Sequence, residues 1–177
     1  MFFSSLWAMA LALVLFWAVG AHNRLVRLRS AAAQAFGALD AHLVQLLALV
    51  GSYEAAQSSA GAPPAVQRDT LQAAAAHCAQ ALASARAHPL RAAAVAPLSQ
   101  ALQALEAAWA DVVQQLPTLA VPAGTEPWVA RWEQHQGRAA QARAQFAAAV
   151  AQHNTAAAQF PARLLAWTLG FRPAHPV

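Results

Sequence analysis

Seven histidines, seven acids and a single cysteine are the side chains from which catalysis or metal binding would have to be assembled in this chain. A metal site on helices needs ligands three or four residues apart, with further ligands converging on the same point. His42, His77, His88, His135, His153 and His175 are scattered, and none stands at such a spacing from a second ligand on its own helix. His77 is next to Cys78, but adjacent residues on a helix point about 100° apart and do not face each other. Being alone, Cys78 excludes an internal disulfide and a cysteine-based zinc site; it is expected to be a small core residue. Glu106 and Asp111 are five positions apart and share no face. The sequence also has no glycine-rich phosphate loop and no nucleophile elbow around a Ser or Cys. The expectation is a protein that is not an enzyme and has no catalytic residue, metal site or cofactor.

One polar constellation has a specific role to test. The dipeptide His-Asn occurs twice, as His22-Asn23 and as His153-Asn154. In an up-down-up-down bundle the start of the first helix and the end of the fourth lie at the same end. The two pairs could then meet and cap or cross-link helices, or they could be solvated surface.

The elements that would position them follow from periodicity. Residues 2–21 carry no charge, and twenty helical residues rise roughly 30 Å, the thickness of a bilayer's hydrocarbon core. Trp7 and Trp17 lie toward the two ends of this run, where interfacial aromatics are common. A cleaved signal peptide ending near Val19-Gly20-Ala21 is the competing reading, but the basic stretch that normally opens one is absent. Arg24, Arg27 and Arg29 follow directly, and basic residues flanking a span favour the cytoplasmic side. The expectation is a single-pass protein of the cell (inner) membrane with a cytoplasmic domain.

Beyond the span, Leu25, Leu28, Ala32, Phe36, Leu39, Leu43, Leu46, Val50 and Tyr53 step by three or four residues, the seam of an amphipathic helix continuing from the membrane. Residues 58–64, SSAGAPP, have turn composition, and Pro64 suits the first turn of a weakly patterned second helix reaching about Ala87. His88-Pro89 interrupts it, because the residue before proline is pushed away from α geometry. A third helix is expected from Pro97, or from earlier with a kink, carrying Leu98, Leu102, Leu105, Trp109, Val112 and Leu116 on one stripe. Residues 117–127 form a proline-rich loop ending in Thr125, a candidate N-cap. The fourth helix places Trp128, Trp132, His135, Ala139, Ala142, Phe146, Ala149, His153 and Ala157 on one side, and Pro161 ends it. The fold class expected is all-α: an N-terminal transmembrane helix (1–22), an antiparallel bundle of about four long helices (23–160), and a short amphipathic segment with tail (161–177).

Composition agrees with this plan. Apolar types make up 59% of the 177 residues and charged types 10%, with Ala, the strongest helix former, dominating the apolar set. All eleven basic residues are Arg, and beyond the three after the span they are spread singly along the chain. Nucleic-acid binding needs a clustered basic face with stacking aromatics and is not expected.

Two segments resemble the LemA family of bacterial membrane-anchored helical proteins. His22-Asn23-Arg24-Leu25-Val26, followed by Ala38-Leu39-Asp40-Ala41-His42-Leu43, is similar to that family's aromatic-Asn opening and Ile-Asp-Val-Gln-Leu stretch. His153-Asn154, Phe160-Pro161, Leu164-Leu165-Ala166 and Leu169-Gly170-Phe171 are similar to its closing Tyr-Asn, Phe-Pro and Gly-Phe pattern. An Arg-rich stretch with a Leu-Ile-Pro-Asn-Leu centre is missing between Leu43 and Tyr53, about one heptad. The resemblance implies a bundle fold and membrane attachment, and marks Asp40 alongside the His-Asn and Phe-Pro positions; it implies no settled activity.

Phe160, Leu164, Leu165, Trp167, Leu169 and Phe171 with Arg163 and Arg172 have the composition of an interfacial segment. Pro161 suits its first turn and Gly170 its end; packing under the bundle is the alternative. The function expected is a membrane-anchored scaffold or coiled-coil-like adaptor, with the lipid bilayer and other membrane proteins as partners. An enzyme or metal-binding module at the His-Asn pairs and a self-assembling homo-oligomer are the alternatives.

Overall fold

A computed structural model describes residues 2–61, 66–115 and 126–158. They carry four helices: α1 (Phe2–Ser59), α2 (Val66–Ala87), α3 (Ala92–Gln115) and α4 (Glu126–Ala158). Among the described residues there is no strand. The abundance of Ala and the scarcity of internal Gly and Pro explain this uniformity, since neither backbone entropy nor a missing N–H interrupts the helices.

The first helix has 58 residues, a rod of about 87 Å. It runs without a break through residues 21–25, so the apolar opening and the first helix of the bundle are one element. Its two parts differ in what surrounds them. Met9, Leu13, Val14, Leu15, Phe16 and Val19 are exposed, Phe16 by 82%; the four consecutive residues 13–16 cover nearly the whole circumference at 100° each. From Leu25 onward one face is buried: Leu25, Ala32, Phe36, Leu39, Leu43, Leu46, Val50 and Tyr53 all lie in the interior. Only Leu28 of the expected seam is half-buried. This helix is long and apolar enough to cross a membrane.

Its far end closes on Gly61, whose φ of +67° is left-handed, a conformation that glycine adopts without Cβ strain just past a helix. The Gly61 N–H donates to the Ser58 carbonyl at 3.2 Å. At the other turn, the Arg91 N–H donates to the His88 carbonyl at 3.0 Å, with Pro89 at the second position of the turn, where its fixed φ is already correct. The third helix therefore begins at Ala92, five residues before Pro97, which lies inside it. Pro97 removes one backbone donor early in the helix, and this does not prevent the turn before it from forming.

The two most extensive packings are α1 with α4 and α2 with α3; α1 and α2 share a smaller contact. Along α1 and α4, Leu25 clusters with Ala156 and Ala157, Phe36 meets the edge of Phe146 at 5.6 Å between ring centroids, and Tyr53 meets Trp128 at 5.9 Å. The main core takes Leu71, Cys78, Leu82 and Ala85 from α2 and Val95, Leu98, Leu102, Leu105, Trp109 and Val112 from α3. From α4 it takes Trp132, Ala139, Ala142, Phe146 and Val150. The described chain is thus an all-helical bundle with a single apolar helix projecting from it.

Candidate functional site

Three regions concentrate polar or aromatic side chains. The first is the end of the bundle next to the apolar part of α1. Here His153 of α4 is buried while His22 and Asn23 of α1 are exposed and Asn154 is half-buried. Burial holds the His153 imidazole below its ordinary pKa, and the positive charge of Arg29 adds to the effect. Arg24 and Leu28 of α1 line a groove of about 340 Å³ with Gln152, Thr155 and Ala156 of α4. The two His-Asn pairs are therefore carried to the same end, with His153 one helical turn inside Ala156 and Ala157 and therefore level with Arg29 rather than Leu25. Neither His22 nor His153 lines the groove between the helices. Phe160, Pro161, Trp167, Gly170 and Phe171, which complete the expected set, lie outside the described residues.

The second region is the ion pair between Asp40 of α1 and Arg86 of α2, where Arg86 Nε donates to Asp40 Oδ1 at 2.8 Å. Asp40 was marked in the sequence by the resemblance, but Arg86 was not. The pair ties α1 to α2, the less extensive of the helix contacts, and is half open to solvent on the Arg86 side. Exposed pairs of this kind contribute about 0.2–1 kcal/mol, so it sets register more than it holds the fold. A longer contact, 3.7 Å, joins Arg143 Nη2 of α4 to Glu106 Oε1 of α3.

The third region, at the opposite end, is an aromatic cluster that periodicity alone did not reveal. Trp109 and Trp132 stack with centroids 4.7 Å apart, and Tyr53 presents an edge to Trp109 at 5.3 Å. The Arg131 guanidinium lies 5.4 Å from the Trp128 centroid. Each residue had a place on a stripe, but stripes on three different helices had to be brought to one level before the rings could meet. Burial raises the Tyr53 phenol pKa, an effect partly offset by a hydrogen bond with Gln57 and by the charge of Arg68. This is the chemistry of a packed core.

Cys78 is buried, and burial pushes its thiol up to about 11. A thiol so held is protonated at neutral pH and is a poor nucleophile. Among the described residues, no three His, Cys, Asp or Glu side chains come close enough together to hold a metal ion. No family model, curated protein or solved structure matches the chain.

Proposed function

We propose that the chain is a membrane-tethered, antiparallel four-helix scaffold without enzymatic activity, which binds other membrane proteins from the cytoplasmic face of the cell membrane. The observation that carries this reading is α1 itself. Its first part exposes large apolar side chains around its circumference, and its second part buries one face in the core of the bundle. Water disfavours the former by roughly 25 cal/mol per Å² of apolar surface, whereas a bilayer accepts it. Arg24, Arg27 and Arg29 at the junction favour the cytoplasmic side. The levels at which Leu25, Phe36 and Tyr53 meet Ala156, Phe146 and Trp128 support an antiparallel α1–α4 pair. The likeness of the His-Asn, Asp40 and Phe-Pro positions to the LemA pattern supports the same architecture.

Two measurements test the reading. Protease added to intact cells should leave a C-terminal tag untouched, and digestion of the tag would reverse the orientation. Affinity capture of the full chain from crosslinked membranes should recover a set of membrane proteins that an unrelated single-span protein does not. Recovery of the same set by both would remove the scaffold role.

A further inference from the structure

Three long stretches of the sequence contain no acidic residue: 1–39, 70–105 and 134–177. The fold brings parts of all three to one end of the bundle, where Leu25 clusters with Ala156 and Ala157 and the turn at 88–91 joins α2 to α3. Val26, Arg29 and Ser30 of α1 face Pro89, Leu90 and Arg91 of that turn across a groove of about 430 Å³. Arg24, Arg27, Arg29 and Arg91 are all exposed. The two acids nearest this end in the fold, Asp40 and Glu106, are engaged by Arg86 and Arg143. Of the rest, Glu54, Asp111 and Glu133 lie within two residues of Tyr53, Trp109 and Trp132, the aromatic cluster at the opposite end. Among the described residues, charge is therefore polarised along the bundle, with a basic collar next to the apolar part of α1.

We propose that the groove between α1 and the α2–α3 turn binds the headgroup of an anionic phospholipid from the adjoining leaflet. The phosphate is held by Arg29 and Arg91, whose long side chains reach from the groove toward the membrane surface. The inference rests on the reading of residues 2–21 as a membrane span. At 1.5 Å per residue, Val26 and Arg29 stand roughly 8 to 12 Å above Ala21, and the headgroup layer extends about 5–7 Å from the hydrocarbon, within reach of an arginine side chain. An anionic headgroup fits better than a zwitterionic one because no carboxylate lines the groove to hold an ammonium. The position of the groove beside the exposed apolar part of α1 favours a lipid over a free phosphate.

The test uses the full chain in nanodiscs of equimolar phosphatidylglycerol and phosphatidylcholine, released into mild detergent, with retained lipids counted by native mass spectrometry. Phosphatidylglycerol should be retained roughly 25-fold over phosphatidylcholine, about fivefold for each of the two arginines. Arg29→Gln with Arg91→Gln should bring the ratio near one, and Arg29→Lys with Arg91→Lys should keep most of it. Should the double Gln variant lose helicity by circular dichroism, the two single variants carry the same comparison. A ratio near one in the unaltered chain, or one unchanged by the Gln substitutions, overturns the proposal. Displacement of phosphatidylglycerol by millimolar inorganic phosphate would identify a soluble anion as the occupant and also overturns it. Alkaline carbonate extraction separates the two readings. A chain that stays in the membrane without lipid preference refutes the groove alone, while a chain released from the membrane refutes the anchor and the groove with it.

Discussion

The most informative single residue is His153. Its imidazole is buried, and both burial and the charge of Arg29 favour the neutral form, so its pKa in the folded state lies below the ordinary 6.5. The unfolded chain then binds a proton more readily than the folded one below that pH, and linkage makes stability rise with pH. The stabilisation associated with the neutral form is complete above about 6.5 and is lost as pH falls from there through the lower folded value. The melting temperature of the domain should drop between pH 8 and pH 5, and His153→Gln should flatten that slope whatever it does to stability at neutral pH. An unchanged slope in the variant would assign the pH response to other groups. Residue roles were only partly legible in the sequence. His153 stood on the apolar stripe of α4, but the sequence left open whether the His-Asn pairs were solvated surface; the structure buries His153 and leaves His22 and Asn23 exposed. The Asp40–Arg86 pair was not visible, because two helices joined by a turn of unknown geometry have no fixed mutual rotation until their cores are packed.

Among the helices, the α3 stripe was the most regular in the sequence, and Leu98, Leu102, Leu105, Trp109 and Val112 are all buried. Leu105 is fully buried among residues of the main core. Leu105→Ala should cost about 2–5 kcal/mol, the lost transfer energy plus a residual cavity, read from denaturant unfolding; a midpoint that does not move would place the side chain in solvent. A gain is available elsewhere. Gly37 and Gly137 sit inside α1 and α4 with nothing within 4 Å of an added Cβ. Gly37→Ala and Gly137→Ala should each stabilise the bundle by roughly 0.5–1 kcal/mol, through the smaller backbone entropy lost on folding, and a loss in thermal unfolding would reveal a contact requiring the glycine. Helix ends were less legible than helix faces. The pattern left the start of α3 open, at Pro97 or earlier; it lies at Ala92, where the Pro89 turn and its hydrogen bond at Arg91 supply an entry that a hydrophobic pattern does not encode.

For the whole molecule, the all-helical class and the order of elements follow directly from the stripes and the breaks at 58–64, 88–89 and 117–127. Which helices pack most closely does not. Short connections predict neighbours in sequence, yet α1 packs against α4 more extensively than against α2. Length contributes: α4, at 33 residues, runs beside more of α1 than the 22-residue α2 can, and it brings Phe146 and Trp128 against Phe36 and Tyr53.

The unbroken course of α1 has a mechanical consequence. With residues 2–21 in a bilayer, no hinge separates the span from the domain, so the domain turns and leans with the span. From Ala21 to Ser59 is a lever of about 57 Å, and a span inclined by about 20° would carry the distal aromatic end sideways by roughly 20 Å. Rotation is transmitted in the same way. One alanine inserted between Ala21 and His22 should turn every face of the bundle by about 100° about the span and lift it about 1.5 Å, leaving the fold and its melting temperature unaltered. Site-directed crosslinking from the bundle surface to membrane neighbours should shift to a different face in this variant. Crosslinks that keep their original positions would mean that the rod bends near Ala21, and that the domain points its faces independently of the apolar part of α1.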